Sequence, residues 1–324
     1  MARLTPAYPI AAALGFVALI LDSKTALQGG SEGLILVLKT IIPSLFPFLF
    51  LSAVISTSIP YSKDDHQNLL GKLFRIPAGA QIVLISAFLG GYPAGAQAVS
   101  TAYKNGTIQK ETAEKMLSFC NNAGPAFLFG MISRFFQDGK SVWLLWIFHI
   151  LGALAAAQMY PCERECVNIK IQHNRVSITE ILKHTLSIIS ILSGWIILFR
   201  ILIAYADRWF LWMIPEEVRT VLIGLLELSN GIMELDQIAN ESLRFFVCSI
   251  LISLGGLCIT LQTFSVTEGL SKKWYFRGKV VQCTVSLLCC LAYIVHCLFI
   301  IPVIIPFLAY IPKIRSGNLQ RVGI

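Results

Sequence analysis

Charged side chains are scarce in this sequence: only 14% of its 324 residues are Asp, Glu, Lys or Arg, whereas 56% are hydrophobic. A soluble domain usually carries about 25% charged residues, so the composition excludes an ordinary soluble globular protein. The net charge of +8 does not indicate a nucleic-acid partner, because an excess of Lys and Arg in membrane proteins sets their orientation. We therefore expect an integral membrane protein whose main partner is the lipid bilayer.

Motifs for hydrolysis, nucleotide binding and metal-dependent proteolysis are missing as well. Most of the nine cysteines lie in apolar runs, as small buried hydrophobic residues do. Cys162 and Cys166 have a C-x3-C spacing that is not a strong zinc signature, even with His173 nearby. The single histidines His149 and His296 in apolar segments are typical of core or interface residues. We expect no enzyme, no metal site and no bound cofactor.

Long apolar runs are present instead, and about 20 mostly apolar residues can cross a bilayer. Six segments reach this length and are predicted as spans: 7–27, 34–59, 116–136, 142–160, 186–206 and 280–310. The first has no clear small-x-small cleavage site, so it is predicted to be retained rather than removed as a signal peptide. Pro302 and Pro306 should bend or end the last span.

Four further apolar segments are shorter or interrupted: 76–88, 91–103, 218–233 and 245–264. Their helix breakers predict paired half-helices, that is, re-entrant hairpins. Non-helical backbone at membrane depth is tolerated only inside protein or beside a water-filled cavity.

Equal spacings suggest an internal duplication. The pairs Gly90–Gln97 and Gly255–Gln262 are both seven residues apart, and the pairs Gly106–Cys120 and Gly269–Cys283 are both fourteen apart. Chance recurrence of common residue types is the alternative. Two repeats of span, hairpin and span, separated by one linking span, would have inverted topology and would place a solute site near the bilayer midplane.

The predicted fold is therefore an all-α polytopic membrane protein with about six spans and two re-entrant helical hairpins in an inverted repeat. The predicted divisions are an N-terminal span, the first repeat, a linking span with a cytoplasmic loop, the second repeat and a basic tail: 1–31, 32–135, 136–178, 179–312 and 313–324. Lysine and arginine counts favour cytoplasmic N- and C-termini. The cluster Lys272, Lys273, Arg277 and Lys279, assigned to the outer side, opposes that bias.

The first candidate site is the predicted turn of the first hairpin. It contains Gly90, Gly91, Pro93, Gly95 and Gln97. Glycine lets backbone approach backbone or ligand closely, and proline ends a helix. Small-residue helix packing explains the glycines equally well but not Pro93 beside a polar glutamine. We interpret the stretch as a site for a polar solute.

The second candidate site is the polar stretch Asn121, Asn122, Gly124 and Pro125 within an apolar run. Proline frees backbone carbonyls from the helix, and asparagine amides both donate and accept, which suits a neutral polar ligand or a sodium ion. In the alternative, the asparagines only satisfy the broken backbone.

The third candidate site centres on Glu227, with Asn230 beside it. An acid in a membrane segment is a functional candidate for proton or cation handling, and Arg200 is a possible partner unless its side chain reaches the interface. The fourth site mirrors the first and contains Gly255, Gly256, Thr260 and Gln262. Its threonine can instead bond to its own helix.

These motifs together resemble the YlbJ-type sporulation integral membrane proteins. The similar stretches are GYPAGA from Gly91, NGTI from Asn105, LSFCNNAGPAF from Leu117, GLLELSNG from Gly224 and the segment from Gly255 to Gln262. The resemblance places the chain in the wider Gate, or nucleoside-recognition, domain group, together with concentrative nucleoside transporters and the ferrous-iron transporter membrane domain. It implies an endospore-forming bacterium, a role in sporulation and two inverted hairpin repeats. Cys258 and Thr260 stand where the family is expected to have Ser and His, which puts a proton role for a histidine there in doubt.

The leading functional hypothesis is a transporter-like protein that binds or translocates a small polar, nucleoside-like solute at the midplane, coupled to sodium or a proton. One alternative is a non-transporting scaffold needed for spore envelope assembly. Another is a metal-ion gate, which has few suitable ligands near its motifs. A homo-oligomer is left open.

Overall fold

The computed structural model describes residues 7–58, 69–77, 80–159 and 177–296, and its regular elements are helices with no strand among these residues. Fifteen α-helices follow in order: α1 (Ala7–Leu21), α2 (Ser23–Leu36), α3 (Ile42–Ser58), α4 (Leu69–Phe74), α5 (Gln81–Gly90), α6 (Ala94–Lys104), α7 (Lys110–Cys120), α8 (Pro125–Phe127), α9 (Gly139–Gln158), α10 (Ile178–Trp209), α11 (Glu216–Leu226), α12 (Leu228–Met233), α13 (Glu241–Leu254), α14 (Gly256–Val266) and α15 (Lys273–Ile294).

Five helical stretches of the described residues are long and apolar enough to cross a membrane: Ser23–Ile55, Gly139–Gln158, Ile178–Trp209, Glu241–Val266 and Lys273–Ile294. The predicted spans 142–160 and 186–206 correspond to α9 and α10. The first half of predicted span 280–310 lies in α15. The region with Pro302 and Pro306 falls outside the described residues, as do Cys162, Cys166, His173 and the tail 313–324.

The boundary between the first two predicted spans differs from the sequence prediction. The chain turns at Asp22, not after Leu27, because the Asp22 side chain accepts a hydrogen bond from the Thr25 backbone NH at 3.3 Å and caps α2. From Ser23 the helix continues through a π-helical turn at Val37–Ile41 into α3. The polar residues Asp22, Ser23 and Lys24 interrupt the apolar run at this cap and were a usable sequence signal for the boundary.

Two predicted segments are broken helices. Segment 116–136 was predicted as one span, but α7 ends at Cys120 and α8 begins at Pro125. Segment 245–264 is one candidate span interrupted at Gly255 and Gly256, whose φ angles are 78° and 74°. Positive φ is accessible to glycine at little cost, so two adjacent glycines allow the break.

Two pairs of short helices form hairpins. Helices α5 and α6 pack against each other across the turn at Gly91–Pro93, and α11 and α12 pack against each other across Glu227. A Cβ at Gly231 would collide with the backbone of Gly224. Helices α13 and α14, in contrast, do not form such a pair: α13 packs mainly on α15, α14 packs on α11 and α6, and both contact α12. The equally spaced pairs Gly90–Gln97 and Gly255–Gln262 therefore lie at breaks of different kinds, a hairpin turn and a broken helix.

The long helices α2 and α10 pack closely along their length. Gly29 and Gly33 of α2 face α10, and the Arg200 guanidinium forms an ion pair with Glu32 at 2.6 Å. The predicted partnership of Arg200 with Glu227 is therefore wrong. Arg200 and Glu32 are 168 positions apart, and a pairing at that separation depends on how the helices pack rather than on a local pattern.

The α2–α10 contact generates a first prediction. A Cβ at Gly29 would lie 2.8 Å from Ala204 Cβ, whereas one at Gly30 has its nearest neighbour at 3.7 Å. Overpacking costs about 1–3 kcal/mol, so Gly29→Ala should lower the melting temperature of the detergent-solubilised protein by about 2–6 °C. The matched variant Gly30→Ala should leave it unchanged or raise it, since alanine favours helix. Equal effects of the two variants would contradict the close contact.

Candidate functional site

The turn of the first hairpin lies against the break in the α7–α8 segment. Gly91 has φ 68°, and a Cβ there would lie 2.6 Å from the Gly124 nitrogen. The Tyr92 backbone NH donates to the Asn122 carbonyl oxygen at 2.7 Å. A Cβ at Gly95 would collide with the Cys120 carbonyl oxygen. Gly91 and Gly95 are thus required for backbone-to-backbone contact between hairpin and broken helix, whereas a Cβ at Gly90 would meet only the Ala94 side chain.

The second hairpin meets the second broken helix in a similar way. A Cβ at Gly256 would lie 2.8 Å from the Gly224 carbonyl oxygen and 3.2 Å from that of Leu225. Glu227 is 1% exposed and adopts an extended backbone between α11 and α12. Its Oε2 accepts hydrogen bonds from the Asn230 backbone NH at 2.7 Å and from Asn230 Nδ2 at 2.8 Å. The carboxylate therefore caps α12, at a helix end that favours negative charge.

A cavity of about 30 Å³ lies where the two hairpin turns meet. This volume holds about one or two water molecules. Its lining comes from both hairpins, the α8 region, α3, α10 and α14: Leu45, Leu49, Gly90, Gly91, Tyr92, Pro93, Ala94, Gly124, Ala126, Phe127, Ile188, Leu192, Glu227, Leu228, Ser229 and Ile259. Glu227 is the one acidic or basic residue of this lining.

Five of the predicted site residues line this cavity: Gly90, Gly91, Pro93, Gly124 and Glu227. Three others support it from outside. Gly95 contacts the end of α7, Pro125 begins α8, and Asn230 holds the Glu227 carboxylate. Gln97 is half-buried on α6 and is not part of the lining.

Thr260 and Gln262, which belong to the fourth candidate site, lie on α14, and their side chains bond within that helix. Thr260 Oγ1 donates to the Gly256 carbonyl oxygen at 2.9 Å, and Gln262 Nε2 donates to Cys258 Sγ at 3.2 Å. Neither residue lines the cavity, so a role for them as ligand contacts stays a prediction. Thr260 follows the alternative of bonding back to its own helix. Gly255 and Gly256 form the break itself.

Asn121 and Asn122 belong to a buried polar network beside the cavity. Asn121 Nδ2 donates to Thr263 Oγ1 at 2.8 Å, and Asn122 Nδ2 donates to the Phe119 carbonyl oxygen. Gln282 Nε2 donates to Asn122 Oδ1 at 2.7 Å. The two amides thus satisfy the broken backbone and link it to α14 and α15, which is the alternative that the sequence left open.

The sequence prediction missed two members of this network, Lys279 and Gln282, whereas His149 was predicted as a core or interface histidine and is one. Lys279 Nζ donates to the Asn121 carbonyl oxygen at 2.6 Å, and the Ala123 backbone NH donates to His149 Nε2 at 2.9 Å. Lys279 is 6% exposed, so its assignment to an outer loop is corrected: α15 begins at Lys273. A usable signal was present, since Lys279, Gln282 and Ser286 recur at helical spacing on one face of α15.

An ionic contact anchors the second hairpin to α10. The Arg219 guanidinium lies 2.9 Å from Asp207 Oδ1 and 3.0 Å from Glu234 Oε2. Burial raises the pKa of the Glu234 carboxyl, and the Arg219 charge opposes that shift. Both ends of the α11–α12 hairpin are thereby tied to the end of α10.

The His149 contact generates a second prediction. Replacing the imidazole acceptor by an apolar group leaves the buried Ala123 NH unpaired, at a cost of about 1–3 kcal/mol. We expect His149→Leu to lower the melting temperature by about 2–6 °C, with His149→Gln less affected because an acceptor is kept. His184→Leu, which changes an exposed histidine of α10, is the control. A His149→Leu protein as stable as that control would show that the contact does not contribute.

Comparison with known proteins gives one clear similarity. No family model and no solved structure matches the chain. Sporulation integral membrane protein YlbJ of Bacillus subtilis (strain 168) is 29% identical over 135 residues, which are 41% of this chain and 33% of that protein. The chain thus matches about a third of the length of this curated relative. The similarity and the five apolar helices together support a multi-pass membrane protein related to a sporulation integral membrane protein.

Proposed function

We propose that this chain binds a small polar solute at the junction of its two hairpins and moves it across the membrane during sporulation. The observation that carries the proposal is the cavity shared by the turns of α5–α6 and α11–α12, with the buried Glu227 in its wall. Substrate sites of many transporters lie near the bilayer midplane, on discontinuous helices of two repeats. The name of the similar protein supports the role in sporulation, and it does not mention a solute.

The contacts favour a specific pairing of the two halves. Hairpin α5–α6 corresponds to α11–α12, and the broken α7–α8 segment corresponds to α13–α14. The supporting contacts are Gly91 against Gly124 in the first half and Gly256 against Gly224 in the second. This pairing replaces the one drawn from glycine spacing and retains the two Gate-type repeats of inverted topology as part of the proposal.

The small volume of the cavity indicates that the structure represents a closed state of the proposed transport cycle. A space of about 30 Å³ admits water and excludes a nucleoside-sized molecule. Entry of a larger solute therefore requires one hairpin turn to separate from its broken helix. The glycine contacts at Gly91–Gly124 and Gly224–Gly256 are the places where separation breaks few side-chain contacts.

The second candidate function is a non-transporting membrane scaffold for spore envelope assembly. It is favoured by the Glu227 carboxylate, whose Oε2 is occupied by two donors of Asn230. A carboxylate that only caps α12 needs no solute. The two functions predict different results when the charge of Glu227 is removed: transport predicts a loss of solute uptake, and the scaffold predicts an effect on stability alone.

Glu227→Gln is the third prediction and separates these functions. Glutamine keeps an acceptor for the Asn230 donors and removes the charge, so the fold should persist while solute uptake falls at least tenfold, which corresponds to about 1.4 kcal/mol. The measurement is uptake of labelled nucleosides and related small metabolites into proteoliposomes. Glu217→Gln, an exposed acid on α11, is the matched control.

Two outcomes would contradict parts of the proposal: one concerns the role of Glu227 and the other concerns transport itself. Wild-type uptake in Glu227→Gln excludes a proton or cation role for this carboxylate. Absence of both uptake and ligand-induced thermal shift in the wild-type protein, across the whole solute panel, favours the scaffold.

A further inference from the structure

The C-terminal end of helix α7 contacts the buried side-chain amine of Lys279. Lys279 Nζ lies 2.6 Å from the Asn121 carbonyl oxygen and 3.3 Å from Gln282 Oε1. It also lies 5.9 Å from the ring centroid of Tyr92 in the first hairpin turn. The lysine thus reaches from α15 to the point where hairpin and broken helix meet.

Among the described residues, no carboxylate forms an ion pair with this amine. The ion pairs found among the described residues join Arg200, Arg208 and Arg219 to acids, and none includes Lys279. The groups around Nζ are instead neutral oxygens and an aromatic face. A charged side chain at membrane depth is expensive and faces a functional interior when it occurs. Here the negative end of the α7 dipole and the free carbonyl are the compensating groups.

This arrangement of oxygens is the kind that binds a small monovalent cation. In transporters, unwound backbone carbonyls and the C-terminal ends of half-helices coordinate the coupling cation. Asn121 supplies such a carbonyl, and its Oδ1 is buried without a partner among the described residues. Two like charges a few ångströms apart in a poorly solvated environment repel each other strongly. An ammonium at this position therefore excludes a second cation.

We propose that the Lys279 ammonium is a tethered cation that takes the place of a dissociable sodium ion at the break in α7. The hairpin α5–α6 is then held closed by a charge that belongs to the chain, and sodium has no effect on its closure. For transport this means that solute movement does not depend on a sodium gradient. That consequence rests on the proposed function, whereas cation binding itself does not.

The test measures the melting temperature of the detergent-solubilised full chain in NaCl, KCl and choline chloride at equal ionic strength. Wild-type protein should melt at the same temperature in all three salts. Lys279→Met removes the charge and leaves the carbonyls free, so sodium at about 100 times its dissociation constant should raise the melting temperature of the variant by about 4–6 °C over choline. Lys279→Arg should behave as the wild type, since it keeps a cation.

Lys273→Met is the matched control, because it removes an exposed lysine from the start of the same helix. It should show no difference between the salts. A merely structural role for Lys279 would lower the stability of Lys279→Met equally in every salt, and that result overturns the proposal.

If Lys279→Met does not fold, the melting temperatures of the wild-type protein in the three salts still test the proposal. Sodium-specific stabilisation of the wild-type protein means that a dissociable ion binds despite the lysine, which also overturns the proposal. These readouts need no solute. A failure to find uptake therefore contradicts the proposed function alone, and a sodium response of the wild type contradicts the tethered cation alone.

Discussion

The structure depends on one constraint: backbone groups freed where a helix breaks within an apolar bundle must find partners inside the protein. The break after α7 frees carbonyl and NH groups at Asn121, Asn122 and Ala123. They are satisfied by Lys279, by the Tyr92 backbone NH and by His149, respectively. The arrangement of α9, α15 and the first hairpin around this point follows from these contacts.

Both interruptions carry a charge that opposes the dipole of the helix end beside it. A helix has a partial negative charge at its C-terminus and a partial positive charge at its N-terminus. Lys279 lies at the C-terminal end of α7, and Glu227 caps the N-terminal end of α12. Each of these two side chains is buried and hydrogen-bonded to neutral groups, and no ion pair joins them.

Glycine determines how closely these parts approach. Gly91 against Gly124 and Gly256 against Gly224 bring backbone to backbone, which no side chain at those positions would permit. The same choice of small residues recurs between α2 and α10, where Gly29 and Gly33 face the long helix. In the bundle centre the glycines lie around a water-sized cavity.

The sequence by itself determined the membrane class, the all-helical fold and the helix breakers at Gly91–Pro93, Gly124–Pro125 and Gly255, whereas the break at Glu227 was not predicted. Composition and local backbone preference set these features, and both are local properties. Tertiary structure alone decided which residues complete each interruption. Lys279 and Asn121 are 158 positions apart, Gln282 and Asn122 are 160 apart, and Arg200 and Glu32 are 168 apart. Such contacts depend on how whole helices pack. Local sequence patterns therefore predict where helices break, and tertiary packing determines which groups hydrogen-bond to the freed backbone.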